Sequence, residues 1–117
     1  MTIPGFPNFF CLYGPNTNLL VHLSSIIHMN ECLTEYIIDA VRFLLQTGTN
    51  AVDVREHVYS TYNDRVDSVG ALRTWEWSSV SSWYKNSKGR SAQNYPFSAI
   101  ELVQRSASID QTDFIVS

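Results

Sequence analysis

What this chain of 117 residues lacks narrows its function before any motif is considered. Its five glycines (Gly5, Gly14, Gly48, Gly70, Gly89) never stand two apart, so there is no G-x-G-x-x-G turn to bring backbone against a pyrophosphate. Neither fingerprint of a dinucleotide-binding pair is present. The 11 acidic and 8 basic side chains, net −3, form no run of one sign, which excludes a polybasic surface for nucleic acid or a basic membrane-binding helix. No apolar run approaches the ~20 residues of a membrane-spanning helix, and no basic segment leads into an apolar one at the N-terminus. The expected setting is cytoplasmic. Two cysteines, Cys11 and Cys32, are too few for a disulfide framework and read as small hydrophobes in a reducing compartment. His22 and His28 are six apart rather than four, and neither they nor His57 have a Cys or carboxylate that completes a metal site. No nucleophile-elbow pattern occurs. No catalytic residue and no metal ligand is assigned.

What is present suffices for one small core: 44% of residues are hydrophobic and 13% aromatic. The pattern is α/β and mostly helical. Phe9-Phe10-Cys11-Leu12-Tyr13 is an unbroken apolar run, as expected of a strand covered on both faces, and Gly14-Pro15 ends it. A helix over 25–46 follows, with Ile26, Met29, Leu33, Tyr36, Ile37, Ala40, Val41, Leu44 and Leu45 at steps of three and four on one wide face, closed by Thr47-Gly48. Residues 50–55 alternate briefly, as an edge strand or an extended lead-in. A second helix is expected over 56–72, with Val58, Tyr59, Tyr62, Val66, Val69 and Leu72 facing inward. Residues 74–95 hold Trp75, Trp77 and Trp83 among serines and read as a long functional loop. Ser98 and Glu101 stand in capping-box spacing at the start of a short third helix, and Phe114-Ile115-Val116 supplies a terminal strand.

The place where chemistry gathers is the passage from strand through Gly14-Pro15-Asn16-Thr17-Asn18 to the helix start at Ser25 and Ile26. A helix N-terminus presents free N–H groups and partial positive charge, favouring an electron-rich group at the mouth of that loop. An ordinary strand-to-helix turn has the same spacing. Trp83 is either a ligand cover or a packed aromatic, and packing is the expectation for Trp75 and Trp77. Lys85, Lys88 and Arg90 read as a solvated basic loop before a phosphate site.

The run Pro4-Gly5-Phe6-Pro7-Asn8-Phe9-Phe10, then Gly14-Pro15-Asn16-Thr17-Asn18, Glu31 and Ser82-Trp83-Tyr84, resembles the C-terminal part of Baeyer–Villiger-type flavin monooxygenases, closest in flavour to the 4-hydroxyacetophenone monooxygenase group. The resemblance runs from about Ile3 to Val116. It implies a parent with two dinucleotide-binding domains, in which NADPH reduces FAD and oxygen is inserted into a ketone. Residues 1–48 would then end the FAD-binding domain, with one or two strands of an incomplete sheet, and 49–117 would be a C-terminal extension. By the same resemblance Gly14, Pro15, Asn16, Thr17, Asn18, Ser25 and Ile26 contact flavin, Val21, His22 and Leu23 border the substrate pocket, and Trp83 covers the nicotinamide. Glu31 anchors structure. Met1 reads as an internal methionine of a longer frame. The family's Phe-Gly stretch with His and Trp is missing, so the chain alone is expected to be inactive and to bind no cofactor. Ser79 to Ser81 stand where many relatives have a cysteine, Tyr95-Pro96 where they have Trp-Pro, and Leu23-Ser24 where glycines are common, which leaves substrate choice open. The rival reading is a non-catalytic truncated or interaction module of two amphipathic helices. Self-association through exposed apolar faces is expected of a severed fragment.

Overall fold

The computed structural model describes residues 1–18, 25–77, 79 and 81–117. Helix α1 (Ile26–Thr47) begins where Ser25, in extended backbone, accepts the His28 N–H through its Oγ at 3.0 Å. It ends where Gly48, at φ 68°, takes a left-handed conformation and donates its N–H to the Leu44 carbonyl. Strand β1 (Val52–Val54) leads into α2 (Glu56–Gly70), a 3-10 turn (Thr74–Glu76) and a long loop. Helix α3 (Ala99–Ser106) starts at Ser98, whose side chain accepts the Glu101 N–H, so half of the expected capping box forms. The Glu101 carboxylate turns to Arg65 of α2 and Arg105 instead. A second 3-10 turn (Gln111–Asp113) precedes β2 (Phe114–Val116).

β1 and β2 pair antiparallel, Val52 with Val116 and Val54 with Phe114. Alternation buries Val52 and Val54 and leaves Asp53 outward, where its carboxylate accepts the Gly5 N–H at 3.0 Å. The other edge of β1 is closed by one residue. Asn8 donates its N–H to the Val52 carbonyl (3.0 Å) and accepts the Val52 N–H on Oδ1 (3.0 Å), filling the place of a third strand.

The run Phe9–Tyr13 is not a strand. It is an irregular segment with a turn at Leu12-Tyr13, Tyr13 lying at φ 49°. An extended backbone needs a ladder partner, and both sides of β1 are already taken, one by β2 and the other by Asn8. Phe10 packs on the core of the two-stranded sheet, while Phe9, Leu12 and Tyr13 stay exposed. The sheet is therefore two-stranded among the described residues, its strands joined across α2 and α3.

Two clusters make the core. Met29 and Leu33 of α1, Val66 of α2, Leu102 of α3 and the loop residues Tyr95 and Phe97 form the first. Val52, Val54 and Phe114 form the second, with Tyr36, Phe43 and Leu44 of α1 packed on them. Both clusters join residues before and after position 48. Arg65 lies over the Phe97 ring at 4.4 Å, and its pairing with Glu101 clamps α2 to α3. The wide apolar face expected on α1 is split. Met29, Leu33 and Ala40 are buried, but Val41, Leu45 and Ile26 are exposed. Helix α2 stops at Gly70, so Leu72 falls outside it and is 81% exposed.

The molecule is elongated, 51 × 28 × 18 Å. Its radius of gyration is 15.2 Å, against about 13 Å for a compact domain of this length.

Candidate functional site

The loop Gly14–Asn18 is bound to the distant segment 91–95. Asn16, at φ 55°, donates its backbone N–H to the Ala92 carbonyl at 2.9 Å, and its buried side-chain Nδ2 donates to the carbonyls of Ser91 (3.0 Å) and Asn94 (3.2 Å). Asn18 donates its N–H to Gln93 and accepts the Tyr95 N–H, a short parallel bridge centred on Asn18 and Asn94. Its Nδ2 also reaches Asn94 Oδ1 at 3.3 Å. Thr17 Oγ1 donates to the Gly14 carbonyl. Pro15 is exposed beside these groups.

This geometry gives the loop an internal task. The donors of Asn16 and Asn18 are spent on the chain itself, and a Cβ on Gly14 would stand 2.7 Å from Cys11 Sγ, so Cys11 accounts for that glycine. Ser25 is spent as the cap of α1, and Ile26 beside it is 42% exposed. Val21, His22 and Leu23 lie outside the described residues.

Trp83 is held differently. It stands before a tight turn in which Asn86 and Arg90 exchange contacts: the Asn86 N–H donates to the Arg90 carbonyl, and Asn86 Oδ1 accepts the N–H groups of Lys88 and Arg90. Gly89, at φ 78°, makes that turn possible. Trp83 itself is 71% exposed, touching the Tyr84 ring with centroids 4.1 Å apart. Trp77 is 55% exposed, so it is not the packed aromatic expected from sequence. Two of the three basic residues are engaged: Arg90 Nε pairs with Asp67 at 2.7 Å, and Lys85 Nζ donates to the Trp77 carbonyl at 2.6 Å. Lys88 is exposed.

Tyr36 is pushed up to about 12 by burial and then by Asp113, Asp110 and Asp39. Burial likewise raises Tyr62 and Tyr95. These phenols stay protonated at neutral pH. His28 is exposed, 3.8 Å from Glu31 and 3.8 Å from Cys32 Sγ, and no group of metal-ligating side chains exists among the described residues. Both cysteines are free. Among the described residues, no helix is long and apolar enough to cross a membrane.

A cavity of about 280 Å³ opens beside the stitched loop, lined in part by Asn16, Glu76, Trp77, Arg90, Ser91 and Asn94. Sequence reasoning missed Ser91 and Asn94, which stand in an undistinguished polar stretch. A second cavity of about 250 Å³ is lined by Leu33, Tyr36, Tyr59 and Tyr62 among others.

Sequence comparison matches nearly the whole chain to monooxygenases. It is 30% identical to an uncharacterized monooxygenase of Sinorhizobium fredii over 96% of the chain and 17% of the relative. It is 31% identical to an FAD-binding monooxygenase of Aspergillus niger over 99% of the chain and 19% of the relative. It is 32% identical to a Baeyer–Villiger monooxygenase of Streptomyces coelicolor over 98% of the chain and 22% of the relative. The chain thus spans about a fifth of the length of the curated relatives it matches, 17 to 22% in these three. No protein-family description matches the chain, and no solved structure does.

Proposed function

Because the chain is related over almost its whole length to a segment of Baeyer–Villiger-type flavin monooxygenases, we propose that it acts as the C-terminal portion of such an enzyme, non-catalytic by itself. FAD reduced by NADPH supplies the oxygen-inserting chemistry of the whole enzyme, with a ketone and molecular oxygen as substrates. The 4-hydroxyacetophenone-type group remains the closest analogy, and the parent would carry two dinucleotide-binding domains. Residues 1–48 belong with the FAD-binding part and 49–117 with the extension.

The observation that carries this reading is the apolar surface. Among the described residues, eighteen large hydrophobic side chains are exposed, against ten hydrophobic residues buried. Scattered exposed apolar residues are ordinary, but an aligned set is not. On α1, Ile27, Ile38, Val41 and Leu45 are exposed at spacings of eleven, three and four, which places them on one stripe beside the buried face. A larger protein body would cover that stripe.

The cofactor-facing assignments are refined by the geometry. Side chains of Asn16, Thr17 and Asn18, already bonded within the chain, suit a backing that fixes the entry to α1. Gly14 and Pro15 shape that backing. The exposed first turn of α1, at Ser25 and Ile26, suits an apolar and weakly positive contact with a flavin ring. Trp83, open on a turn-stabilised loop, offers a flat face and one N–H donor to the nicotinamide end of NADPH. Val21, His22 and Leu23 keep their assignment beside the substrate.

A chimera tests the proposal. This chain replaces the matching fifth of the Streptomyces coelicolor enzyme, and the purified chimera is assayed for FAD content and for ketone-dependent NADPH oxidation with ester formation. The expected result is a yellow enzyme that makes ester. A folded, FAD-loaded chimera without ketone oxidation would overturn it, and so would turnover unaffected when residues 1–117 are deleted.

A further inference from the structure

The two hydrophobic clusters do not merge, and a cavity of about 250 Å³ is lined by members of both. Leu33, Tyr95 and Leu102 come from the first cluster, Val54 and Phe114 from the second. The space therefore stands at the junction of α1, α2, α3 and both strands, where a domain of this size would ordinarily have one continuous core. Protein interiors are close-packed, with few voids larger than a water molecule. A gap of this volume between two cores calls for an occupant.

A ligand can reach the walls. Tyr36, Val58 and Tyr62 are half-buried, Tyr59 is 37% exposed and the Arg105 side chain is 47% exposed, and all five line the cavity. The reachable surface is thus mainly aromatic and aliphatic, with Leu33 and Leu102 buried behind it. Such walls give water few partners and suit an apolar guest. Benzene enters an apolar cavity of ~150 Å³, and this one is about 1.7 times as large, room for two fused rings.

Charge narrows the ligand further. The charged side chains of the lining, Arg105 and Asp113, are of opposite sign, and burial keeps the phenols of Tyr36 and Tyr62 protonated. Arg105 also lies over the Tyr62 ring at 5.2 Å and bonds Glu101 through Nε at 3.2 Å. An ion of either sign would give up hydration against apolar walls without a net opposite charge in the lining. A neutral ring loses little and gains stacking faces from the tyrosines.

We infer that this cavity binds a neutral, largely apolar ligand of one or two fused rings between the two cores. It goes beyond the redox reading, because every wall residue named belongs to this chain and no flavin is involved.

The test is a methyl-detected nuclear magnetic resonance titration of the full chain with indole. The methyl signals of Leu33 and Val58 report the cavity, and those of Leu45 and Leu72, exposed and outside its lining, report adsorption to the surface. Carboxylate and aminomethyl derivatives of indole serve as charged probes. Indole is expected to shift Leu33 and Val58 saturably at about millimolar concentration and to leave Leu45 and Leu72 in place, with both charged probes at least about tenfold weaker. Val58→Trp, which puts a ring of the protein's own into the space, should weaken indole at least about tenfold as read at Leu33, with the melting temperature held or raised. Ser106→Val is the second block, since the Ser106 hydroxyl lines the cavity yet bonds only carbonyls of its own helix. No saturable shift at Leu33 and Val58, equal shifts at the surface leucines, equal binding of the three probes, or undiminished binding by a folded blocking variant would each overturn the inference. FAD content and ketone oxidation by the chimera play no part in these readouts, so the two proposals fail separately.

Discussion

The loop Asn16–Asn18 and the loop carrying Trp83 were nominated by the same resemblance as cofactor contacts, yet the fold treats them in opposite ways. Asn16 is buried and uses its amide on two carbonyls more than seventy residues away, whereas Trp83 is 71% exposed and touches only Tyr84 among described aromatic contacts. A polar side chain with all its donors spent is architecture. An open indole on a fixed turn is available. Two motifs named by one resemblance therefore differ in what the fold leaves open: the side chains of one are bonded within the chain, and the indole of the other is exposed.

The most forceful way to break this contrast is Asn16→Ala. It strips the donor from the Ser91 and Asn94 carbonyls and places alanine at φ 55°, and the expected loss is about 2–4 kcal/mol in denaturant unfolding. Asn16→Gly separates the causes, recovering about 1 kcal/mol of backbone strain and nothing of the hydrogen bonds. If Asn16→Ala unfolds like the wild type, the loop is no stitch.

Gly14→Ala comes next. The new Cβ would sit 2.7 Å from Cys11 Sγ, and a loss of about 1–3 kcal/mol is expected from overpacking. Cys11→Ala in the same chain removes the sulfur and should restore much of it, giving a positive coupling in a double-mutant cycle. Absence of coupling would return Gly14 to a ligand role.

A smaller effect lies at the clamp between α2 and α3. Arg65 first, by hydrogen bonding, and Arg105 hold the Glu101 carboxyl below its ordinary value of 4.5. A lowered folded-state value means the stabilisation is complete above pH 4.5 and is lost as pH falls through the folded value. These side chains are partly exposed, so the contribution is under about 1 kcal/mol. Thermal melts between pH 6 and 3 should show a steeper acid loss for the wild type than for Glu101→Gln, and parallel curves would contradict the clamp.

Trp83→Ala sits at the other end. Stability should change by no more than about 0.5 kcal/mol, because so little of the indole is buried. In the chimera the same change should raise the KM for NADPH severalfold. A destabilised chain with normal NADPH kinetics would invert the comparison.

Much of the fold was legible locally. Ser25 and Gly48 mark the ends of α1, Ser98 marks the start of α3, and both short strands fall where alternation or a terminal apolar run placed them. What failed was what distance decides. The run Phe9–Tyr13 has the composition of a covered strand, but a strand exists only where another backbone lies beside it, and Asn8 occupies that edge of β1. The pairing of β1 with β2 joins residues some sixty positions apart, and neither segment announces the other. The bonding of Asn16 to residues 91–94 was not foreseen, because those partners carry no pattern that local reading can detect. Val41 and Leu45 of the α1 stripe were read as buried, since periodicity alone does not tell an apolar residue on the core face from one left on the surface.

That stripe is the most direct access to the central claim that this chain forms part of a larger enzyme body. Sedimentation velocity on the purified chain, beside an Ile27→Glu, Val41→Glu, Leu45→Glu variant, measures whether the surface seeks a partner. The account predicts that the wild type self-associates at micromolar concentration while the variant is monomeric with an unchanged unfolding midpoint. A wild-type chain that sediments as a monomer, melts cooperatively and binds no hydrophobic dye would contradict it and identify an independent module.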